Sequence, residues 1–162
     1  MTKIIKASEA DFDKIWPVFQ DTVKSGRTYV YAPDISYETA KNIWFAENFS
    51  THITLDENNE LLGAYVIRPN HRDLGSHIAN AAYIVARAHR GEGIGKEMGK
   101  HSFEEAKKLG YKALQFNYVI STNEAAIKLW NSLGFQIIGT VPNAHQHPEL
   151  GLVDIHIMHR EL

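Results

Sequence analysis

Residues 83–98 read "YIVARAHRGEGIGKEM", an apolar run that gives way to glycines at 91, 93 and 95 and then to a helical pattern. The apolar run begins earlier, as "IANAAYIVA" over residues 78–86, and is typical of a strand buried on both faces. A strand, a glycine loop and a helix in this order leave backbone N–H groups free at the start of the helix, where an anion can bind. An ordinary strand-to-helix turn that tolerates glycine is the alternative interpretation.

The glycine spacing excludes the two commonest phosphate loops. The P-loop pattern G-x-x-x-x-G-K-[ST] requires a glycine where Arg90 stands and a hydroxyl where Glu97 stands. The dinucleotide pattern G-x-G-x-x-G places its third glycine on Lys96 or on Met98. What remains is R-x-x-G-x-G, from Arg90 to Gly95, directly before a helix.

The rest of the chain predicts strands and helices in the order β-α-α-β-β-β-α-β-α-β-β. One predicted helix has an apolar face running from Ile94 to Leu109, and the last two strands, 135–141 and 152–158, flank a loop over 142–151. Antiparallel strands followed by a βαβ unit give a mixed sheet. We therefore expect one α/β domain over residues 1–162, with a mostly antiparallel sheet of about seven strands and helices on both faces.

Composition limits the class of protein. The net charge is −2 and no basic run is present, so nucleic acid is not an expected partner. The chain has no cysteine, which excludes disulfides, thiolate nucleophiles and zinc–thiolate sites. No apolar stretch has the length of a signal peptide or a membrane span, so we expect a cytoplasmic protein that does not bind membranes.

A second motif, "NEAAIKLWNSLGF" at residues 123–135, follows the glycine loop by about thirty residues. Together the two motifs resemble the GNAT superfamily of acyl-CoA-dependent N-acetyltransferases. The resemblance implies acetyl-CoA as co-substrate, no metal ion, and a wedge between two central strands that holds the pantetheine arm. It also implies that coenzyme A is bound by the main chain of two segments and by Arg90; these segments are Ile84, Val85 and Ala86 for pantetheine, and Gly91, Glu92, Gly93, Ile94, Gly95 and Lys96 for the pyrophosphate.

The resemblance also assigns roles to single residues. The N–H of Val85 would polarise the thioester carbonyl, as an oxyanion hole does. In much of the family an aromatic position of the last helix is a tyrosine that protonates the leaving thiolate, but here it is Trp130, whose indole cannot supply a proton. We expect Trp130 to pack in the core or against pantetheine, and Asn123 to cap a helix or contact coenzyme A.

Asn80 and Asn117 lie in runs that should be in the middle of the sheet. A buried amide without a partner costs about 1–3 kcal/mol, so each needs a partner or a ligand. Together with Asn123, they resemble the asparagines of small-molecule acetyltransferases that act on azetidine-2-carboxylate, a group near the phosphinothricin-type enzymes. This resemblance implies that Asn80 and Asn117 contact an amino-acid substrate or assist its activation, and a satisfied amide that pins a strand bulge is the alternative.

The acceptor side is less defined by the sequence. The loop "SGRTYVYAPD" at 25–34 lies where the family builds its acceptor pocket, and Arg27, Tyr29 and Tyr31 are candidates to bind a carboxylate and an apolar body. The histidines at 145 and 147 read as solvated loop residues, because no third metal ligand is evident.

These observations predict an enzyme that transfers acetyl from acetyl-CoA directly to the amine of a small, amino-acid-like molecule. A protein or peptide N-acetyltransferase is one alternative, and a non-catalytic acyl-CoA sensor is another. By analogy with the family, a homodimer is expected.

Overall fold

The computed structural model describes residues 2–162, whose strands form a single seven-stranded sheet. The strands, in chain order, are β1 (Lys3–Lys6), β2 (Ser50–Leu55), β3 (Leu61–Pro69), β4 (Ile78–Val85), β5 (Ala113–Ile120), β6 (Gln136–His147) and β7 (Gly151–Glu161). The α-helices are α1 (Phe12–Lys24), α2 (Tyr37–Trp44), α3 (Ile94–Lys108) and α4 (Glu124–Ser132). This confirms the predicted order of strands and helices.

The sheet has the strand order β1-β2-β3-β4-β5-β7-β6. All neighbouring strands are antiparallel except β4 and β5, which run parallel. A parallel pair needs a long crossover, and α3 provides it. The predicted α/β fold, with a mixed but mostly antiparallel sheet, is therefore confirmed.

Helices cover both faces of this sheet, as predicted. On one face, α1 packs Phe12, Ile15, Phe19 and Val23, spaced three and four residues apart, around a core that also contains residues of α2 and of β2 to β4. On the other face, α3 and α4 pack against the centre of the sheet in a second core. The predicted face of α3 is buried from Ile94 to Ala106, but Leu109 is about half exposed because the helix ends at Lys108.

The central strands β4 and β5 separate soon after they meet. Only Ile78 with Ala113 and Ala79 with Leu114 are paired between them. Further along, β5 has an irregularity between Phe116 and Val119 where it pairs with β7. The second half of β4 therefore has a backbone edge that no strand pairs with, and the α1/α2 side and α4 surround the gap.

The C-terminal hairpin differs from its prediction. The expected loop over 142–151 is mostly strand, since β6 runs to His147 and β7 starts at Gly151. A register shift between Val141 and His145 absorbs Pro142, which an edge strand tolerates because its missing N–H would face solvent. The extension of β6 matters for function because it carries His145 back towards the centre of the molecule.

Within residues 2–162, the helices all lack the combined length and hydrophobicity that crossing a bilayer requires.

Candidate active site

The gap between β4 and β5 opens into a cavity of about 340 Å³, near the lower end of the range for ligand pockets. Its walls come from the second half of β4, from β5, from the start of α4 and from α1 with the loop that follows it. The lining includes Thr28, Tyr29, Val85, Arg90, Tyr118 and Trp130.

Two main-chain hydrogen bonds fix which residues of β4 turn towards this gap. Asn70 N–H donates to Ile78 O at 2.8 Å and Ala86 N–H donates to Leu62 O at 2.9 Å, so the even-numbered residues of β4 bond to β3. The odd-numbered residues therefore direct their N–H and C=O groups away from β3 and into the gap. Of the three residues expected to bind pantetheine, only Val85 has its N–H in the gap, since Ile84 and Ala86 turn theirs to β3.

Tyr83, the next odd-numbered residue, has its main-chain groups occupied by a side chain. The Tyr29 hydroxyl donates to Tyr83 O at 2.5 Å and accepts from Tyr83 N–H at 3.1 Å, as a neighbouring strand would. Burial raises the pKa of Tyr29 well above its ordinary value, so the hydroxyl stays neutral. Tyr29 thus joins the loop after α1 to β4. The N–H of Val85, two residues closer to the glycine loop than Tyr83, stays unpaired.

The glycine loop leads directly into α3. Gly91 and Gly93 adopt φ of 85° and 86°, a left-handed conformation that other residues rarely take, and a methyl on either would meet no atom within 4 Å. Gly93 is the N-cap of α3, and the first N–H of the helix bonded back to it is that of Glu97, at 3.0 Å to Gly93 O. The N–H groups of 94–96 and the helix dipole are therefore available to an anion, with open space in front of them.

Two more glycines in α3 let α4 approach closely. A methyl at Gly95 would lie 3.2 Å from Leu129 Cδ2, and one at Gly99 would lie 2.7 Å from Leu133 Cδ1. The start of α3 is therefore packed directly against α4, whose first residues line the cavity.

Trp130 is a buried residue of α4. Its ring lies 4.6 Å from that of Tyr83 and 4.7 Å from that of Phe116, between centroids, and it also lines the cavity. This position is consistent with both parts of the expectation, packing and a pantetheine contact. Asn123 caps α4, because its Oδ1 accepts from Ala126 N–H at 3.3 Å, and it lines the cavity as well.

The side-chain amides of Asn80 and Asn117 both donate hydrogen bonds to the same oxygen of a third asparagine. Asn117 Nδ2 donates to Asn70 Oδ1 at 2.7 Å, and Asn80 Nδ2 donates to the same oxygen at 3.3 Å. The expectation that both amides are buried in mid-sheet is wrong: Asn117 is exposed and Asn80 is half-buried, because β5 has already left β4 at this level. They lie at the narrow end of the gap, just beyond the last paired residues, and outside the lining of the cavity.

The loop after α1 and the β6–β7 turn contact each other beside the cavity. Arg27 forms an ion pair with Glu149 of that turn, and Gly26 lies against Pro148. Arg27 is thus engaged within the protein, and Tyr31 stacks on Tyr29 at 5.9 Å without lining the cavity.

His145 is not a solvated loop residue, contrary to the prediction. It is 7% exposed, on β6, with Nε2 2.7 Å from Gly26 O and Nδ1 2.9 Å from the Tyr118 hydroxyl. His147 is half-buried and caps the turn, since its Nδ1 accepts from the N–H groups of Glu149 and Leu150, both at 3.1 Å. Across the described part of the chain, no three histidine or carboxylate side chains are placed to hold a metal ion.

The sequence model of the acetyltransferase (GNAT) family matches residues 14–135, three-quarters of the chain and both walls of the gap. The chain belongs to this family. It carries a GNAT N-acetyltransferase domain, with the β4–β5 gap and the glycine loop in the positions that the sequence motifs predicted.

Relatives and solved structures agree with this assignment. The chain is 36% identical over 91 residues to the N-acetyltransferase aca1 of Schizosaccharomyces pombe, a match covering 56% of this chain and 44% of that protein. A solved GCN5-related N-acetyltransferase from Kribbella flavida is 39% identical, with a TM-score of 0.94 over 99% of this chain and 98% of that one. The phosphinothricin acetyltransferase of Sinorhizobium meliloti, solved with AcCoA, shares the fold at 18% identity, with a TM-score of 0.87 over 99% of this chain and 88% of its own. The chain matches less than half the length of the curated relatives.

Several residues of the site were not predicted from the sequence. Asn70 lies in a segment that reads only as a polar loop, although its amide joins the other two asparagines. Tyr118 and His145 are 27 residues apart and come together only because β6 is longer than its hydrophobic pattern indicates. No local signal marked the extension of β6, because the strand is exposed along most of its length and contains Pro142 and a glycine at 139.

Proposed function

We propose that this chain is an acetyl-CoA-dependent N-acetyltransferase that transfers the acetyl group directly to the amine of a small, amino-acid-like molecule. The observation that carries the proposal is that two unpaired sets of N–H groups occur together. The Val85 N–H lies inside the gap, and the free N–H groups at the start of α3 follow a few residues later in the chain. The first suits a thioester carbonyl and the second a pyrophosphate. The AcCoA bound in the solved phosphinothricin acetyltransferase, which has the same fold, is in keeping with this donor.

In this proposal the donor is held mainly by the main chain. The N–H groups of the glycine loop and of 94–96 bind the pyrophosphate, except that of Glu92, which donates to His89 O at 3.4 Å. Arg90, whose Nε is 3.4 Å from Val85 O, lies beside them and lines the cavity. The pantetheine arm lies in the gap against Trp130. The amine attacks the thioester carbon, and the Val85 N–H stabilises the tetrahedral oxyanion. The C–S bond then breaks and coenzyme A leaves.

This scheme uses no general acid from α4, because Trp130 cannot supply a proton. A thiol has a pKa of about 8.5, so its thiolate is a tolerable leaving group near neutral pH. General acid help is worth about 100- to 10,000-fold, which orientation and oxyanion stabilisation can offset in part. We therefore assign Trp130 to packing and pantetheine contact.

A small acceptor is favoured by the size of the cavity, about 340 Å³. The Arg27–Glu149 ion pair and the contact of Gly26 with Pro148 also join the loop after α1 to the β6–β7 turn. In this proposal the ring of Tyr29 contacts the acceptor. Arg27 and Tyr31 hold the loop in place through the ion pair with Glu149 and the stacking on Tyr29. Asn80 and Asn117 then serve at the narrow end of the gap, where their amides can bind the acceptor directly or through a bridging water.

The test is release of free thiol from acetyl-CoA with a panel of amino acids, imino acids, amino-acid herbicide analogues, polyamines and peptides. We expect turnover with one or more amino or imino acids. Turnover with peptides and with no small amine would show that the acceptor is a polypeptide. Thermal stabilisation by acetyl-CoA without turnover for any amine would identify a sensor instead. The cytoplasmic location and the homodimer stay predictions.

A further inference from the structure

We propose that Tyr118 and His145 form a proton relay that removes a proton from the acceptor amine before acyl transfer. This inference rests on the proposed function, and it supplies the proton acceptor that the sequence motifs do not identify. The relay joins β5 to β6 at the acceptor end of the cavity.

The hydrogen bonds of His145 fix its tautomer. Its Nε2 lies 2.7 Å from Gly26 O, and a carbonyl oxygen can only accept, so Nε2 carries the hydrogen. In the neutral imidazole the other nitrogen, Nδ1, is then an acceptor, and it faces the Tyr118 hydroxyl at 2.9 Å. The basic lone pair of His145 is thus directed at Tyr118 and not at solvent.

A second acceptor lets the pair hold an extra proton without moving. The Tyr118 hydroxyl is also 3.2 Å from Ala144 O. With His145 neutral, Tyr118 donates to Nδ1. With His145 protonated, Nδ1–H donates to Tyr118 Oη and the Tyr118 hydroxyl donates to Ala144 O. Both protonation states are therefore fully hydrogen-bonded in one arrangement of heavy atoms.

Tyr118 is the member of the pair that lines the cavity, as Thr28 and Tyr29 also do. Burial raises the pKa of the Tyr118 hydroxyl, so a free tyrosinate is disfavoured. Tyr118 consequently accepts one proton only as it passes its own to His145. It is the residue that touches the amine, and His145 acts through it.

The proton balance is complete without another reactant. An ammonium N–H proton passes to Tyr118 Oη as the Tyr118 proton passes to His145 Nδ1, which leaves a neutral amine and an imidazolium. The amine then forms the C–N bond, the C–S electrons go to sulfur, and the second N–H proton ends on the thiol. His145 returns its proton to water through Tyr118.

Several charged side chains around the pair are engaged with partners of their own. Arg27 and Glu149 pair with each other, and Asp21 pairs with Arg87. Asp154 accepts from Asn143 N–H at 3.0 Å. Other charged or titratable residues on these segments include Lys24, Tyr29, Arg90, His147 and His156, and β7 also carries His159, Arg160 and Glu161.

The test compares Tyr118→Phe and His145→Gln with the wild type by thiol release as a function of pH. The glutamine amide can still donate to Gly26 O but takes no proton. We expect kcat/KM to fall about 100-fold at pH 7 in both variants. The deficit should shrink as the pH rises above the pKa of the amine, because the acceptor then arrives neutral. His159→Gln, on β7 away from the cavity lining, is the histidine control and should keep wild-type activity.

Several results would overturn the relay. A deficit of the same size at every pH would indicate a structural role, while the proposed function would stand. Nitrogen NMR of the wild type that finds neutral His145 protonated at Nδ1 would contradict the relay independently of turnover. If no amine releases thiol with the wild type, the proposed function fails and the relay with it. Tyr118→Phe removes one oxygen only, so it decides the question if His145→Gln folds poorly.

Discussion

Gly93 and Gly110 form a matched pair at the two ends of α3, and they allow the anion site to be tested separately from backbone strain. Their φ values are 86° and 88°, and a methyl on either would meet no atom within 4 Å. A left-handed backbone costs a non-glycine residue about 1–2 kcal/mol. Gly93→Ala and Gly110→Ala should therefore lower the free energy of unfolding by the same amount, in urea titrations without ligand.

The two variants should differ only in their affinity for coenzyme A. The N–H of Gly110 is used within the turn, at 2.9 Å to Lys107 O, whereas Gly93 caps the open end of α3. A methyl at Gly93 obstructs the approach of a phosphate to the main chain, and a hydrogen bond to a charged group is worth about 1.5–3 kcal/mol. Because 1.4 kcal/mol is about a factor of ten, Gly93→Ala should raise the Kd for coenzyme A about 10- to 100-fold.

Isothermal titration calorimetry with coenzyme A measures this difference directly. Gly110→Ala should bind coenzyme A as the wild type does. Equal affinities in the two variants would show that the pyrophosphate is held elsewhere, and the assignment of the glycine loop would have to be abandoned.

Three further predictions concern other parts of the chain. Tyr29→Phe leaves the Tyr83 N–H and C=O unpaired, so we expect stability in urea titrations to fall by about 1–3 kcal/mol for each group that water does not reach. Tyr31→Phe should stay near wild type, and equal losses in the two variants would mean that the bridging hydroxyl contributes nothing. Asn117→Ala should lower kcat about tenfold, the value of one hydrogen bond, with the Kd for acetyl-CoA unchanged, and an unaltered kcat would remove Asn117 from the reaction. Burial lowers the pKa of His52 from 6.5 to about 4, so the unfolded chain binds a proton between these values that the folded protein does not. Stability should therefore fall by about 3 kcal/mol as the pH drops from 6.5 to 4; His52→Gln should lose that component, and a variant with the wild-type pH dependence would contradict the assignment.

The arrangement of strands and helices could be predicted because it depends on local patterns. The apolar spacing of α1, the glycine loop before α3 and the cap at Asn123 each involve residues within one turn or strand. The direction of the Val85 N–H also follows from strand alternation once β4 is paired with β3.

The acceptor side could not be predicted, since it depends on contacts between distant segments. Asn117 is exposed because β5 separates from β4 before reaching it, and no local sequence pattern predicts the residue at which the two strands separate. The length of β6 decides that His145 is buried, and Pro142 argues locally against a strand there. The Tyr29 hydroxyl takes the place of a strand across 54 residues of chain, a distance over which sequence spacing carries no information.

The Tyr29–Tyr83 bridge also has a consequence for how the acceptor loop can vary. Any movement of that loop away from the sheet would leave one N–H and one C=O of β4 without partners, at a cost of about 1–3 kcal/mol for each group unless water replaces the hydroxyl. The loop is therefore anchored through the Tyr29 hydroxyl to the strand that we propose binds the acyl donor. Under the proposed function, an exposed position of the loop such as Val30 can change to suit a new amine while this anchor is preserved.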